Sequence, residues 1–294
     1  MSDVRCRQSS QMAPQIVLMT GSSSGIGLVM AQRLARDPDH RFIVIATVIA
    51  MSEKNDLEAA VKDVIDKTVF IKELDITKDE RITEVVEGVI SRHGRIDVLI
   101  NIAGLALPAI AERVSREQID KIFNVNVIGT IRLTQAVLPH MKERQSGKII
   151  TFSSIAGKIG FPYSEFYCAS KFALEGFFES LAGGLRAFKI RVCLIEPAQV
   201  ESALWDWILH QMESLANDQT LSEIDRRQNR ITHARSKEGT RMSADDVVGA
   251  VITRCLDVDE PVLRHLLAPG ETCDVLQKTL ADLTGEAGIS AFGF

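Results

Sequence analysis

Short apolar runs alternate with amphipathic stretches along most of this chain. Residues 16–19, 42–47, 69–74, 96–100, 148–152, 191–195 and 262–267 form runs of four to six residues, rich in Val, Ile and Leu. That is the signature of parallel strands buried on both faces. Helical spacing falls between them. Leu28, Ala31, Leu34 and Ala35 share one stripe, and a helix is predicted over 78–93. Ile119, Ile122, Phe123, Asn126, Thr130 and Leu133 share another stripe. From 165 to 188 the face is Phe166, Ala169, Ala173 and Phe177, widened by Leu174, Phe178 and Leu181. Strand–helix alternation of this kind predicts an α/β, doubly wound domain, with about seven parallel strands and helices on both faces.

Polar residues punctuate the pattern. Ser115-Arg116-Glu117-Gln118 reads as a capping box. Ser164 reads as an N-cap with Glu165 in the first turn, and Ser243-Ala244-Asp245-Asp246 opens a later helix. Residues 1–14 read as a disordered tail, leaving 15–294 as one catalytic-sized domain. Both tryptophans fall in 198–241, the stretch expected to form a lid. On a helix Trp205, Ile208, Leu209 and Met212 share a face, but Trp205 and Trp207 do not. That face suits either a bulky apolar ligand or ordinary core packing. Residues 217–241 are polar and are expected to be mobile, with His233 solvated.

Composition narrows the classes. The chain has 294 residues, 46% of them hydrophobic and 25% charged, with a net charge of −5. Nothing in that balance favours nucleic acid. The longest apolar run, 42–51, is too short to span a bilayer, and the first fifteen residues hold no apolar core of a secretory signal. The five cysteines (Cys6, Cys168, Cys193, Cys255, Cys273) form no CxxC pair, so reduced thiols in a cytoplasmic protein are expected. The six histidines form no ligand spacing with one another, and no metal is expected.

The first strand runs into Thr20-Gly21-Ser22-Ser23-Ser24-Gly25-Ile26-Gly27 and then a helix. Strand, glycine turn and helix make a phosphate cradle, because glycines admit close backbone approach and the helix start offers free N–H groups. Gly21, Ser23, Ser24, Gly25, Ile26 and Gly27 are the candidate contacts. The same string satisfies the G-x-S-x-G elbow of serine hydrolases, with Ser23 as nucleophile. That reading places the elbow on the first strand and leaves Gly27 idle. The end of the second strand, where a dinucleotide ribose is read, carries Val48, Ile49 and Ala50. No carboxylate there repels a 2′-phosphate, and Ser24 could donate to one, which favours NADP(H) over NAD(H).

Tyr167 and Lys171 are four apart on the helix from 165, so they lie one above the other. A free phenol titrates near ~10, too high for a base at neutral pH, and a neighbouring ammonium is expected to lower it. Ser154 stands thirteen residues upstream, at the C-terminal end of the fifth strand, where doubly wound sheets bind ligands. Asn126 on an apolar stripe must find partners or cost energy.

YCASK, the upstream serine and TGSSSGIG together resemble the short-chain dehydrogenase/reductase family, over roughly residues 15–200. YCASKFALEGFFESLA resembles the branch holding 17-beta-hydroxysteroid and photoreceptor-type retinol dehydrogenases. The resemblance implies a Rossmann-type domain and a nicotinamide cofactor, with Ser154, Tyr167, Lys171 and Asn126 catalytic. It implies that Asp75 meets the adenine and that Asn101-Ile102-Ala103-Gly104 stands for NNAG, with Asn101, Ala103 and Gly104 near the cofactor. Pro197, Val200 and Ser202 stand in a PGxVxT-like loop, where Ala198 replaces glycine and raises doubt about any φ > 0 there. The implied substrate is a bulky apolar alcohol or its carbonyl, hydroxysteroid- or retinol-like. A small xenobiotic carbonyl, a hydrolase reaction and a non-catalytic nucleotide sensor are the alternatives. The helix after Tyr167 is apolar beyond one stripe, which suggests a homodimer.

Overall fold

A computed structural model describes residues 13–238 and 240–282. The expected tail lies outside them except for Ala13 and Pro14, as do Cys6 and residues 283–294. In chain order the elements are β1 (Gln15–Met19), α1 (Gly25–Ala35), β2 (Phe42–Val48), α2 (Asn55–Val61), β3 (Val69–Glu73), α3 (Asp79–His93) and β4 (Val98–Asn101). Then come α4 (Arg116–Phe123), α5 (Thr130–Arg144), β5 (Gly147–Phe152), α6 (Glu165–Leu185), β6 (Ile190–Pro197), α7 (Ala203–Asn217), α8 (Glu223–Lys237), α9 (Ala244–Val251), β7 (Arg264–Leu267) and α10 (Gly270–Ala281).

All seven strands pair in parallel, in the order β3-β2-β1-β4-β5-β6-β7. Successive strand residues feed opposite layers, as a pleat of period two requires. Val17, Met19, Val44, Ala46, Val98 and Ile100 pack with Met30 and Leu34 of α1 and Val247 and Val251 of α9. Ile16, Leu18, Ile45 and Leu99 pack with Val86 and Val89 of α3, Leu133 and Val137 of α5, and Leu174 and Phe178 of α6. Because both faces are covered, the strands read as unbroken apolar runs.

The strand order reverses between β1 and β4, and the crevice beyond their C-terminal ends is where such sheets take ligands. The chain closes tightly there. Gly21 has φ +70°, and a Cβ on it would lie 2.8 Å from the Ala103 nitrogen. Thr20, which follows β1, is buried, and its Oγ1 accepts from the amides of Ile102 and Ala103 at 3.1 Å each. One threonine thereby fastens both ligand loops at the reversal.

Two expectations about local structure change. Ser164 occupies the N-cap position of α6, but its side chain caps nothing; the Glu165 carboxylate accepts from the Tyr163 amide instead, at 2.9 Å. The polar stretch 217–241, expected to be mobile, forms helix α8. Its start is capped by the Ser222 hydroxyl, which accepts from the Asp225 amide at 3.1 Å. Glu223 pairs with Arg226 and Arg230, and Arg113 reaches across to the Thr220 carbonyl at 2.6 Å. Polarity there reflects the outer face of a packed helix rather than a loop.

Candidate active site

Above the C-terminal strand ends lies a cavity of about 810 Å³. Its floor is the glycine turn with Ala103 and Gly104, one wall is Ser154, Tyr167 and Lys171, and its roof comes from α7 and α8. The glycine turn is shaped by its own packing. Gly25 has φ +53°, a conformation that costs a side-chain-bearing residue energy. A Cβ on Gly27 would lie 2.0 Å from the Gly21 carbonyl oxygen. The third glycine therefore serves the turn itself, and its presence does not distinguish a cofactor site from a nucleophile elbow.

Helix α1 starts with no side-chain cap, and Gly25, Ile26 and Gly27 at that start line the cavity. Uncapped first-turn N–H groups and the positive end of the helix dipole form an anion cradle. The turn's shape and this donor set together fit a pyrophosphate. Ser23 also lines the cavity, but no histidine does among the described residues, so Ser23 has no imidazole beside it to act as a base.

Ser154 follows β5 in extended conformation and is nearly buried, its hydroxyl accepting from the Ala156 amide at 3.1 Å. It stands beside the Tyr167 phenol and acts to lower its pKa. The Tyr167 ring keeps partial exposure along the wall, yet its phenol is enclosed, and this desolvation pushes the pKa up to about 12, against the lowering effect of Ser154. Lys171 is buried, and its Nζ donates to the Phe152 carbonyl at 2.9 Å. Desolvation brings its own pKa down to about 8, partly offset by the negative charge of Glu175 one turn on. Burial is the largest influence on the Tyr167 phenol here, and the lowering expected from Lys171 is not among the causes acting on it.

Asn126 sits in a π-helical turn, Asn124–Gly129, between α4 and α5. Its Oδ1 accepts from the Leu105 amide at 2.7 Å, and its Nδ2 donates to the Leu105 carbonyl at 2.9 Å and to Ser170 Oγ at 3.0 Å. Ser170 in turn donates to the Tyr167 carbonyl at 2.7 Å, so the asparagine is tied to α6. A Cβ on Gly104 would lie 3.4 Å from Asn126 Oδ1 and 3.7 Å from Lys171 Nζ, which brings both head groups beside one glycine. Asn126 does not itself line the cavity.

Asn101 is also behind the surface, donating to Thr134 and Thr151 at 3.3 and 3.1 Å; it braces β4 against α5 and β5, while Thr20 holds the loop. Asp75 lines the cavity and accepts from the Thr77 amide and hydroxyl at 2.9 and 2.7 Å, a turn-forming role. Pro197, Val200 and Ser202 line it too. Ser202 caps α7, accepting from the Trp205 amide at 3.2 Å. Ala198 is not among the residues with positive φ, and its amide donates to Leu267 at 2.8 Å, so the missing glycine leaves this loop unstrained.

Trp205 and Trp207 both reach the cavity, with Leu204, Ile208 and Met212. His233, expected in solvent, is buried, and desolvation lowers its pKa; Thr232, Arg235 and Ser236 line the cavity from α8 in its place. Four contributors escaped the sequence reading: Thr20, Ser170, Arg235 and Glu53. Thr20 opens the glycine turn and Ser170 precedes Lys171, so a buried hydroxyl at each is the signal that the sequence carries. Glu53 brings a carboxylate to the cavity from a short turn just beyond β2.

Residues 15–213 match the short chain dehydrogenase family. Over 202 residues the chain is 40% identical to retinol dehydrogenase 8 of Bos taurus, covering 69% of this chain and 64% of that protein. Over 282 residues it is 33% identical to human 17-beta-hydroxysteroid dehydrogenase type 1, covering 95% and 85%. For the bovine retinol dehydrogenase 8 and its human counterpart, the matched stretch thus spans under two thirds of the relative's length. The fold superposes on a short-chain dehydrogenase from Streptomyces avermitilis with a TM-score of 0.77 and 29% identity, covering 93% of this chain and 95% of the other. Among the described residues no helix is long and apolar enough to cross a membrane.

Proposed function

Since the chain belongs to the short-chain dehydrogenase family, we propose that it is a nicotinamide-dependent oxidoreductase interconverting an alcohol and its carbonyl. The observation that carries this is the convergence of Ser154, Tyr167 and Lys171 on one cavity wall, opposite an uncapped helix start. Gly25, Ile26 and Gly27 would hold the cofactor pyrophosphate, and Lys171 the nicotinamide ribose. Asp75, Ala103, Gly104, Pro197, Val200 and Ser202 would border the rest. When bound, the nicotinamide supplies or accepts the hydride.

The protein's part is orientation and proton transfer. In oxidation, Ser154 orients the substrate oxygen and Tyr167 takes its proton as the carbonyl forms. In reduction, Tyr167 returns that proton to the new alkoxide. A phenol near 12 suits the second direction, since it remains protonated and able to donate at neutral pH. Asn126 and Ser170 fix the Leu105 backbone and α6 relative to each other, setting where Lys171 stands. Asn126 is proposed to position a water beside that ammonium.

The substrate is proposed to be a bulky apolar alcohol or ketone of steroid or retinoid type, which the aromatic roof at Trp205 and Trp207 and the names of the relatives support. The homodimer expected from α6 would cover Phe172, which is 46% exposed, and Ile128, 50% exposed. Fluorescence titration with NADPH and NADH, followed by turnover on a steroid and retinoid panel, tests the proposal. Tyr167→Phe should keep cofactor binding and lose about a thousandfold in kcat/KM. Near-normal turnover by that variant would refute the assignment.

A further inference from the structure

Away from the cavity, three side chains converge from three elements. They are Cys193 on β6, Cys255 in the π-helical turn Ile252–Leu256 after α9, and His265 on edge strand β7. Both cysteines are fully buried and His265 is 6% exposed. The two Sγ atoms and one ring nitrogen of His265 all lie within 4.8 Å of one another. Two donors on one ion at about 2.0–2.3 Å each stand at most about 4.6 Å apart, so the cluster already has nearly the dimensions of a coordination sphere.

The surroundings agree. His265 Nε2 lies 2.9 Å from the Val262 carbonyl oxygen. Only an N–H can make that contact favourable, so Nε2 carries the proton and Nδ1 holds the ring's lone pair. Metal-bound imidazoles are oriented in this way, through the other nitrogen's bond to a carbonyl. Lys148 Nζ donates to the carbonyls of Cys255, Leu256 and Val258 at 2.9, 2.9 and 2.6 Å, which fixes a positive charge beside the two sulfurs. No further Cys, His, Asp or Glu joins the group among the described residues. Two thiolates and one imidazole suit a soft or borderline ion with no rigid geometric demand, and they exclude magnesium and calcium, which take oxygen donors.

We propose that Cys193, Cys255 and His265 bind one thiophilic d10 cation, Zn(II) or Cu(I), that fastens β7 and the end of α9 to β6. Binding releases the two thiol protons to solvent and changes no oxidation state. With Zn(II) the two thiolates and the ion are neutral together; with Cu(I) the remaining negative charge is met by Lys148. The site acts through position: the amide of Ala198, just after β6, donates to Leu267 of β7, so a fastened edge steadies the start of the cavity loop. The three ligands are too far apart in sequence to form a spacing motif, which is why no metal was expected from the chain alone.

The test uses the full chain, stripped with chelator under reducing conditions and reloaded with Zn(II) alone or Cu(I) alone, anaerobically. One equivalent should survive gel filtration, with a raised melting temperature, and competition against a chromophoric chelator tells which ion is held more tightly. Cobalt(II) in place of Zn(II) should give a sulfur-to-metal charge-transfer band. Cys193→Ser and His265→Gln should each weaken retention at least tenfold, on the order seen when metal-site groups are lost. Cys273→Ser, on α10, should not. Circular dichroism and dinucleotide titration of the variants separate lost ligation from lost folding. If a variant misfolds, the cobalt band of the unaltered chain decides. Failure to retain either ion, retention unchanged in the folded variants, or a Cys193–Cys255 disulfide in the reduced preparation would each overturn the proposal.

Discussion

Lys171 points its ammonium at the Phe152 carbonyl, 2.9 Å away, while standing 5.6 Å from the centroid of the Tyr167 ring. The lysine is thus anchored to the end of β5 and meets the tyrosine over its face. Burial, acting on both groups, raises the phenol to about 12 and lowers the ammonium to about 8. The chain has only two tyrosines, and Tyr163 is also pushed up, by burial and the charges of Asp225 and Glu165. An ultraviolet titration of the protein alone should therefore show no tyrosinate at neutral pH and a late rise above 10. Tyr167→Phe should remove the later part of that rise. A tyrosinate phase near neutrality in the protein alone would mean the ammonium outweighs burial after all.

The Gly27 contact with the Gly21 carbonyl is the tightest approach any glycine makes among the described residues, at 2.0 Å for an added Cβ. Gly27→Ala should displace the turn, abolish dinucleotide binding in a fluorescence titration and lower the melting temperature. Gly88→Ala in α3 is the control, since nothing lies within 4 Å of its Cβ position. It should keep binding and add about 1 kcal/mol of helix stability. Equal binding by both variants would show that the turn has room the structure denies it.

Strand and helix assignments were legible because buried parallel strands and amphipathic helices carry distinct periods, as Val17, Leu18 and Met19 and the stripe Leu174, Phe178 show. Tyr167 and Lys171 were legible as one helix face from their spacing, and Ser154 as the end of a buried strand; that the three belong to one site was implied only by the resemblance of the motifs. What escaped depended on distant pairings. The burial that sets the Tyr167 pKa is a tertiary property. The helix at 223–237 lacks a strong apolar stripe and is held by ion pairs and by α7. Glu53 sits five residues beyond the end of β2, on a short turn whose place at the cavity depends on tertiary packing.

That carboxylate bears on cofactor choice. Val48, Ile49 and Ala50 alone favour NADP(H), but Glu53 and Ser24 line the same cavity, and a carboxylate opposes a 2′-phosphate. Glu53→Lys should shift the ratio of NADPH to NADH affinity toward NADPH by at least tenfold, about 1.4 kcal/mol. Fluorescence titration of the variant and the parent with both cofactors measures it. An unchanged ratio would place the ribose away from Glu53.

Behind the wall of the cavity, Glu196 of β6 and Glu175 of α6 are both buried and share Arg264, at 3.2 and 3.0 Å. Desolvation, then the negative charge of Glu175, pushes the Glu196 pKa up to about 7, from 4.5. A folded-state value above the unfolded one means the folded protein holds the extra proton between those limits. The stability linked to Glu196 is therefore complete below 4.5 and is lost as pH rises through 7. Glu196→Gln keeps the shape and an oxygen for Arg264 while removing the charge. Near pH 4.5 the variant and the parent should melt alike. Toward pH 8 the variant should become the more stable, by at most about 3 kcal/mol, or several degrees in melting temperature. Thermal melts across that range decide the sign: if the parent instead gains on the variant as pH rises, the ion pair with Arg264 outweighs both burial and the repulsion from Glu175.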